Sequence, residues 1–120
     1  MDYFLAMPLM QMYGLGVNFR GGFRTLILQN LSRGPNHGYR IAQEIKRKSE
    51  GVLDFQEGAL YPALHGLESK GWISSETREE NGRVRCYYQL TESGRKALVT
   101  EKQEWERLSG AFNLILQEPA

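Results

Sequence analysis

A single cysteine, Cys86, leaves no partner within the chain for a disulfide. The fold is therefore expected to rest on packing alone, as in a reducing compartment such as the cytoplasm. Histidine is scarce as well. His37 and His65 stand apart, with no cysteine and no carboxylate pair at metal-ligand spacing. No glycine loop of the phosphate-binding kind is present. With no catalytic constellation, the chain is not expected to be an enzyme or to carry a metal or cofactor. An excess of one charge is missing too, since 15 basic and 14 acidic residues give a net charge of +1. Residues 1–18 are apolar, but Pro8, Gly14 and Gly16 interrupt them. They are short for a membrane span of about 20 apolar residues. They also lack the basic segment that opens a secretory signal. They read as an N-terminal arm, either packed on a partner subunit or poorly ordered.

What remains suits one domain. A chain of 120 residues, 41% hydrophobic, buries roughly two thirds of its unfolded surface without staples. Its charge is unevenly spread. From Phe19 to Lys48 seven basic residues face one acid, Glu44, enough to steer a polyanion locally. A solvated helix face is the plainer account of the same charges.

Phe23, Leu26, Ile27 and Leu31 recur at helical spacing. The string "SRGP" ends that helix. Asn36 is expected to cap a second helix, whose stripe is Tyr39, Ala42 and Ile45 with Ile41 beside it. A third, "EGALYPALHGLESKG", places Leu60, Leu64 and Leu67 on one side and ends at Gly71. Asn81-Gly82 predicts a tight hairpin, because both turn positions need positive φ. On the returning strand Val84, Cys86, Tyr88 and Leu90 alternate with Arg83, Arg85, Tyr87 and Gln89. The apolar side would bury Cys86 as an inert thiol. Thr91 is the expected cap of a last helix, with Gly94 tolerated near its start. On that helix Leu98, Trp105, Leu108, Phe112 and Ile115 form a seam broken only at Glu101. The seam either folds back on its own domain or pairs with a second copy.

Three helices, a hairpin and a long helix predict a mainly α fold with a small antiparallel β hairpin. This is the layout of a winged helix-turn-helix with a long C-terminal dimerisation helix. The arm would be 1–18, the DNA-binding domain 19–90 and the dimerisation helix 91–120. "GPNHGYRIAQEI", "EGALYPALHGLESKGWI" and "RCYYQLTESGRKAL", at these distances, resemble the PadR-type transcriptional regulators from about Leu26 to Phe112. The resemblance implies a homodimeric repressor that binds an inverted repeat in double-stranded DNA. Where that family usually carries threonine or serine, this chain has Ala59.

The third helix would enter the major groove. The amides of Glu57, Gly58 and Ala59 at its start suit phosphate. Gly58 and Pro62 predict a tight or kinked first turn. Tyr61 lies off the leucine stripe, facing either the groove or the wing, and His65 shares its side. Tyr39 resembles a backbone-contacting tyrosine of the family, with core packing as the other reading. His37 reads as a structural residue of the inter-helix turn. Lys70 serves phosphate or the helix dipole. Arg78, Arg83 and Arg85 suit phosphate or the minor groove, unless Glu76, Glu79 and Glu80 neutralise them. Two copies of Trp105 could stack a small aromatic effector, or simply anchor the seam. A winged domain that binds protein instead of DNA is the alternative function.

Overall fold

The computed structural model describes residues 17–119, and the side chains of 22–119. The expected arm therefore lies outside the described residues, except for Val17 and Asn18, which open the first helix. The elements in order are α1 (Val17–Leu31), β1 (Asn36–His37), α2 (Gly38–Lys48), α3 (Glu57–Ser69), β2 (Ile73–Glu80), β3 (Arg83–Leu90) and α4 (Glu92–Leu116). The winged-helix layout predicted from the sequence is present. One strand was not foreseen. β1 pairs antiparallel with β3, Asn36 opposite Tyr88 and His37 opposite Tyr87, giving a sheet ordered β1-β3-β2. Two residues carry no alternation for a sequence pattern to register.

The core forms where the helical stripes meet the sheet. Phe23, Ile27, Leu28 and Leu31 of α1 pack with Ile41 and Ile45 of α2 and with Leu60, Leu64 and Leu67 of α3. Ile73, Tyr88 and Leu98 complete it from the sheet and α4. Tyr39 is 57% exposed, so the core reading of that residue is corrected. At the hairpin Asn81 and Gly82 hold φ of 51° and 76°, as the two-residue turn requires.

Cys86 is a second correction. It shares the side of Tyr88 and Leu90, as alternation dictates, yet it is exposed. Val84, two residues nearer the tip, is exposed as well. Toward its tip the hairpin is exposed on both strands, so among the described residues nothing covers this side of its outer half.

Asn36 is the third. It does not stand at the N-cap of α2; His37 does, with its Nδ1 3.4 Å from the Arg40 backbone nitrogen. The Asn36 amide is buried and needed elsewhere. Its Nδ2 donates to Asn30 Oδ1 at 3.0 Å and to Glu44 Oε1 at 3.2 Å, while Asn30 Nδ2 donates to the same carboxylate at 2.9 Å. Arg40 Nε reaches Glu44 Oε2 at 3.2 Å. The Asn30 bond and then Arg40, against some opposition from burial, hold the Glu44 pKa below its ordinary 4.5. A lowered carboxylate pKa stabilises the fold above the ordinary value, and that share is lost as pH falls through the folded value. Glu44→Gln is accordingly expected to flatten the melting-temperature profile below pH 4.5, checked by thermal melts from pH 3 to 7. An unchanged acid limb would assign the loss to other carboxylates.

Candidate nucleic-acid interface

α3 divides its residues cleanly. Leu60, Leu64 and Leu67 are buried, while Tyr61, Pro62, His65 and Gly66 are exposed on the other side. The helix is continuous through Pro62. Its first turn is tight, because the Gln56 carbonyl accepts from both Ala59 N–H at 2.9 Å and Leu60 N–H at 3.0 Å. Gln56 is the N-cap residue but makes no side-chain cap. This alters the expected amide cluster. The Ala59 amide is already bonded and its side chain packs on the core. Only the amides of the exposed Glu57 and Gly58 remain open of the three.

Tyr61 is 36% exposed, and its ring leans on the first residue of α2. A Cβ on Gly38 would stand 3.0 Å from Tyr61 Cε1 and 3.1 Å from its hydroxyl oxygen. Glycine at position 38 is thus what lets the ring lie close to α2. Tyr39, the next residue, begins a ridge that the sequence reading missed. Tyr39, Gln43 and Arg47 follow at intervals of four, all exposed and on one side of α2. They line an open crevice of about 1190 Å³ whose far wall is Gln56, Glu57 and Gly58. The spacing from Tyr39 was the available signal for Gln43 and Arg47. Lys46, beside them, pairs with Asp54 at 3.4 Å.

The wing is less free than the ridge. Arg78 donates to Glu76 through Nε at 3.1 Å and Nη2 at 2.9 Å, and lies 4.4 Å above the Tyr87 ring. Arg85 has Nε 3.9 Å from Glu80 and Nη1 3.2 Å from His37 Nε2. Tyr87 donates its hydroxyl to Glu80 at 2.7 Å. Of the three wing arginines only Arg83, exposed at the hairpin tip, has no ion pair among the described residues. The expected neutralisation by acids therefore applies to Arg78 and Arg85 and spares Arg83. Lys70 is exposed at the end of α3, its Nζ 5.2 Å from the Trp72 ring centre. His65 is exposed on the outer side of α3.

Residues 27–100 match the Transcriptional regulator PadR-like family. The chain belongs to that family. This PadR-like protein is 37% identical over 90 residues to Transcriptional regulator Rv3488 of Mycobacterium tuberculosis, a match covering 75% of this chain and 81% of that one. A solved transcriptional regulator from Clostridium thermocellum is similar with a TM-score of 0.78 and 31% identity, over 85% of this chain and 100% of the other. A PadR family transcription regulator from Clostridium difficile R20291 gives a TM-score of 0.67 at 33% identity, over 78% and 96%. The PadR-like chain is a transcriptional regulator on a winged-helix fold, not an enzyme. Among its described residues no helix is long and apolar enough to cross a membrane.

Proposed function

We propose that this regulator is a homodimeric repressor that grips an inverted-repeat operator with α3 in the major groove. The observation that carries the reading is the shared exposure of two surfaces around one crevice. On one side lie the open amides of Glu57 and Gly58; on the other lies the Tyr39–Gln43–Arg47 ridge, and Tyr61 and His65 are exposed further along the same α3. Hydroxyls, cations and free amides are the groups that fix a protein on phosphates. Arg83 at the wing tip adds a cation free to reach the duplex backbone. The exposed seam of α4 supports pairing with a second copy, which would set two half-sites about one helical turn apart.

Selection of duplexes from fragmented genomic DNA, followed by salt titration, tests this. Salt-sensitive retention of an inverted repeat is expected. Arg83→Ala should reduce the slope of log affinity against log salt by about 0.9. No sequence-dependent, salt-sensitive binding anywhere in the genome would overturn the reading. A stable protein partner with salt-independent affinity would then favour the protein-binding alternative.

Release by a small aromatic effector is the further part of this reading. Trp105 is 53% exposed on the α4 seam, so two copies would present facing indoles. Planar aromatic compounds are expected to quench its fluorescence and free the duplex. A panel that does neither would remove the effector.

A further inference from the structure

His37 stands where three elements meet. It lies in β1, occupies the N-cap position of α2, and pairs with Tyr87 of β3. Both of its ring nitrogens face donors. Nδ1 lies 3.4 Å from the backbone nitrogen of Arg40, and Nε2 is 3.2 Å from Nη1 of Arg85 on the wing. A guanidinium has no acceptor, and neither has a backbone amide nitrogen. A neutral imidazole offers one acceptor nitrogen and one N–H; its cation offers two N–H groups. The ring therefore serves the helix cap or the wing, never both, and when protonated it serves neither.

The groups around it keep the ring neutral. Arg85 approaches from β3 and Arg40 from α2, while Glu80 of β2 and Glu44 of α2 supply the opposing charges. Tyr87 stands edge-on to it, ring centres 5.5 Å apart, with its hydroxyl on Glu80. Burial, then Arg85 and Arg40, lower the His37 pKa below 6.5. Of the two donors, Arg85 is charged and nearer, and charged donors make the stronger bond. With Arg85 in place the favoured tautomer is therefore the one in which Nε2 accepts from Arg85 and Nδ1 carries the proton, leaving the Arg40 N–H at 3.4 Å without its acceptor.

We infer that His37 is a positioning residue that couples the wing to the first turn of α2, by offering one acceptor to Arg85 or to the helix cap in turn. When Arg85 is drawn away, Nδ1 loses its proton to water and Nε2 takes one up, with no net change. Nδ1 then caps α2 through the Arg40 N–H. That first turn carries Tyr39, and its Gly38 supports the Tyr61 ring. A phosphate that pulls Arg85 off the ring thereby firms the surface on which both tyrosines sit. This last link rests on the DNA reading above; the tautomer exchange does not.

Long-range proton–nitrogen NMR of the His37 ring at pH 7.5 tests the inference in the protein alone. The Nδ1–H tautomer is expected to dominate in the unaltered chain and the Nε2–H tautomer in Arg85→Ala. The Arg40 amide should exchange about fivefold more slowly in Arg85→Ala, the worth of a regained N-cap. The ring pKa should rise toward 6.5 in that variant, since one of its two arginines is gone. His37→Asn sets an oxygen near the Nδ1 position and keeps the cap alone; His37→Gln sets one near Nε2 and keeps the Arg85 contact alone. Slow Arg40 exchange is expected in the first and fast exchange in the second. The same tautomer with and without Arg85, or equal Arg40 exchange in the two His37 variants, would overturn the coupling. With a selected duplex bound, the unaltered ring should adopt the Arg85→Ala pattern. A duplex that binds without moving the tautomer overturns the link to DNA. Failure of the DNA reading itself shows separately, as no salt-sensitive retention of any duplex.

Discussion

Gly94→Ala is expected to lose about 3 kcal/mol of stability, the upper range for forcing an atom into a packed site. The start of α4 is clamped to the link between α3 and β2. Thr91 N–H donates to the Trp72 carbonyl at 3.1 Å. The Thr91 hydroxyl donates to the Gly71 carbonyl at 2.6 Å and accepts the Gly94 N–H at 3.0 Å. A Cβ on Gly94 would overlap the Trp72 carbonyl oxygen and stand 3.1 Å from Leu90 Cδ2. That carbonyl cannot retreat without breaking its bond to Thr91, so α4 has to lift away from the sheet. Gly66→Ala on α3 is the comparison. It meets open space, and alanine is favoured over glycine in a helix by up to about 1 kcal/mol. Urea midpoints should move in opposite directions for the two variants. Equal, small shifts would mean that the approach at Gly94 relaxes without loss.

The glycine at 94 also shows where sequence reading stops. A lone glycine near a helix start looks merely tolerated, because the backbone it touches lies 22 residues earlier in the chain. Local chemistry was legible. Asn81-Gly82 specified its turn, Thr91 its cap, and the leucines of α3 their buried side. The errors share one cause, which is that periodicity assigns a side but not what covers it. Cys86 is on the apolar side of β3 and yet beyond the reach of the helices. Asn36 has a capping side chain, but its amide is claimed by Asn30 and Glu44 from two other elements. At the candidate site the exposed side of α3 was readable from the leucine spacing. The inward tie of Arg85 to His37 was not, since 48 residues separate them. The break in the α4 seam at Glu101 has an equally non-local reason. Glu101 pairs with Arg24 of α1 at 3.2 Å, so that turn of α4 faces its own domain.

Past Lys102, whose Nζ reaches Gln29 of α1 at 3.3 Å, the apolar seam of α4 is exposed, and the double substitution Phe112→Glu and Ile115→Glu is expected to turn the proposed dimer into a monomer. Trp105, Phe112 and Ile115 are all more than half exposed, and they fall on one seam at heptad spacing. An isolated helix as short as the projecting end of α4, about 15 residues, is marginal in water, and its stability comes from burying an apolar stripe. Two glutamates in a paired seam would bury unpaired charge against their own copies in the partner, several kcal/mol unfavourable. The domain itself should still melt cooperatively, because Leu98 and the Thr91 clamp lie on the other side of Glu101. Its grip on DNA should not survive intact. A monomer holds one half-site, and losing the linked second contact lowers affinity by about 10²–10⁴-fold. Leu114→Glu separates a specific seam from general stickiness. Leu114 is as exposed as its neighbours but falls off the heptad, so light scattering should find that variant still dimeric. If the double glutamate variant keeps the mass and DNA affinity of the unaltered protein, the seam does not join two copies. The exposed half of α4 would then need a different partner.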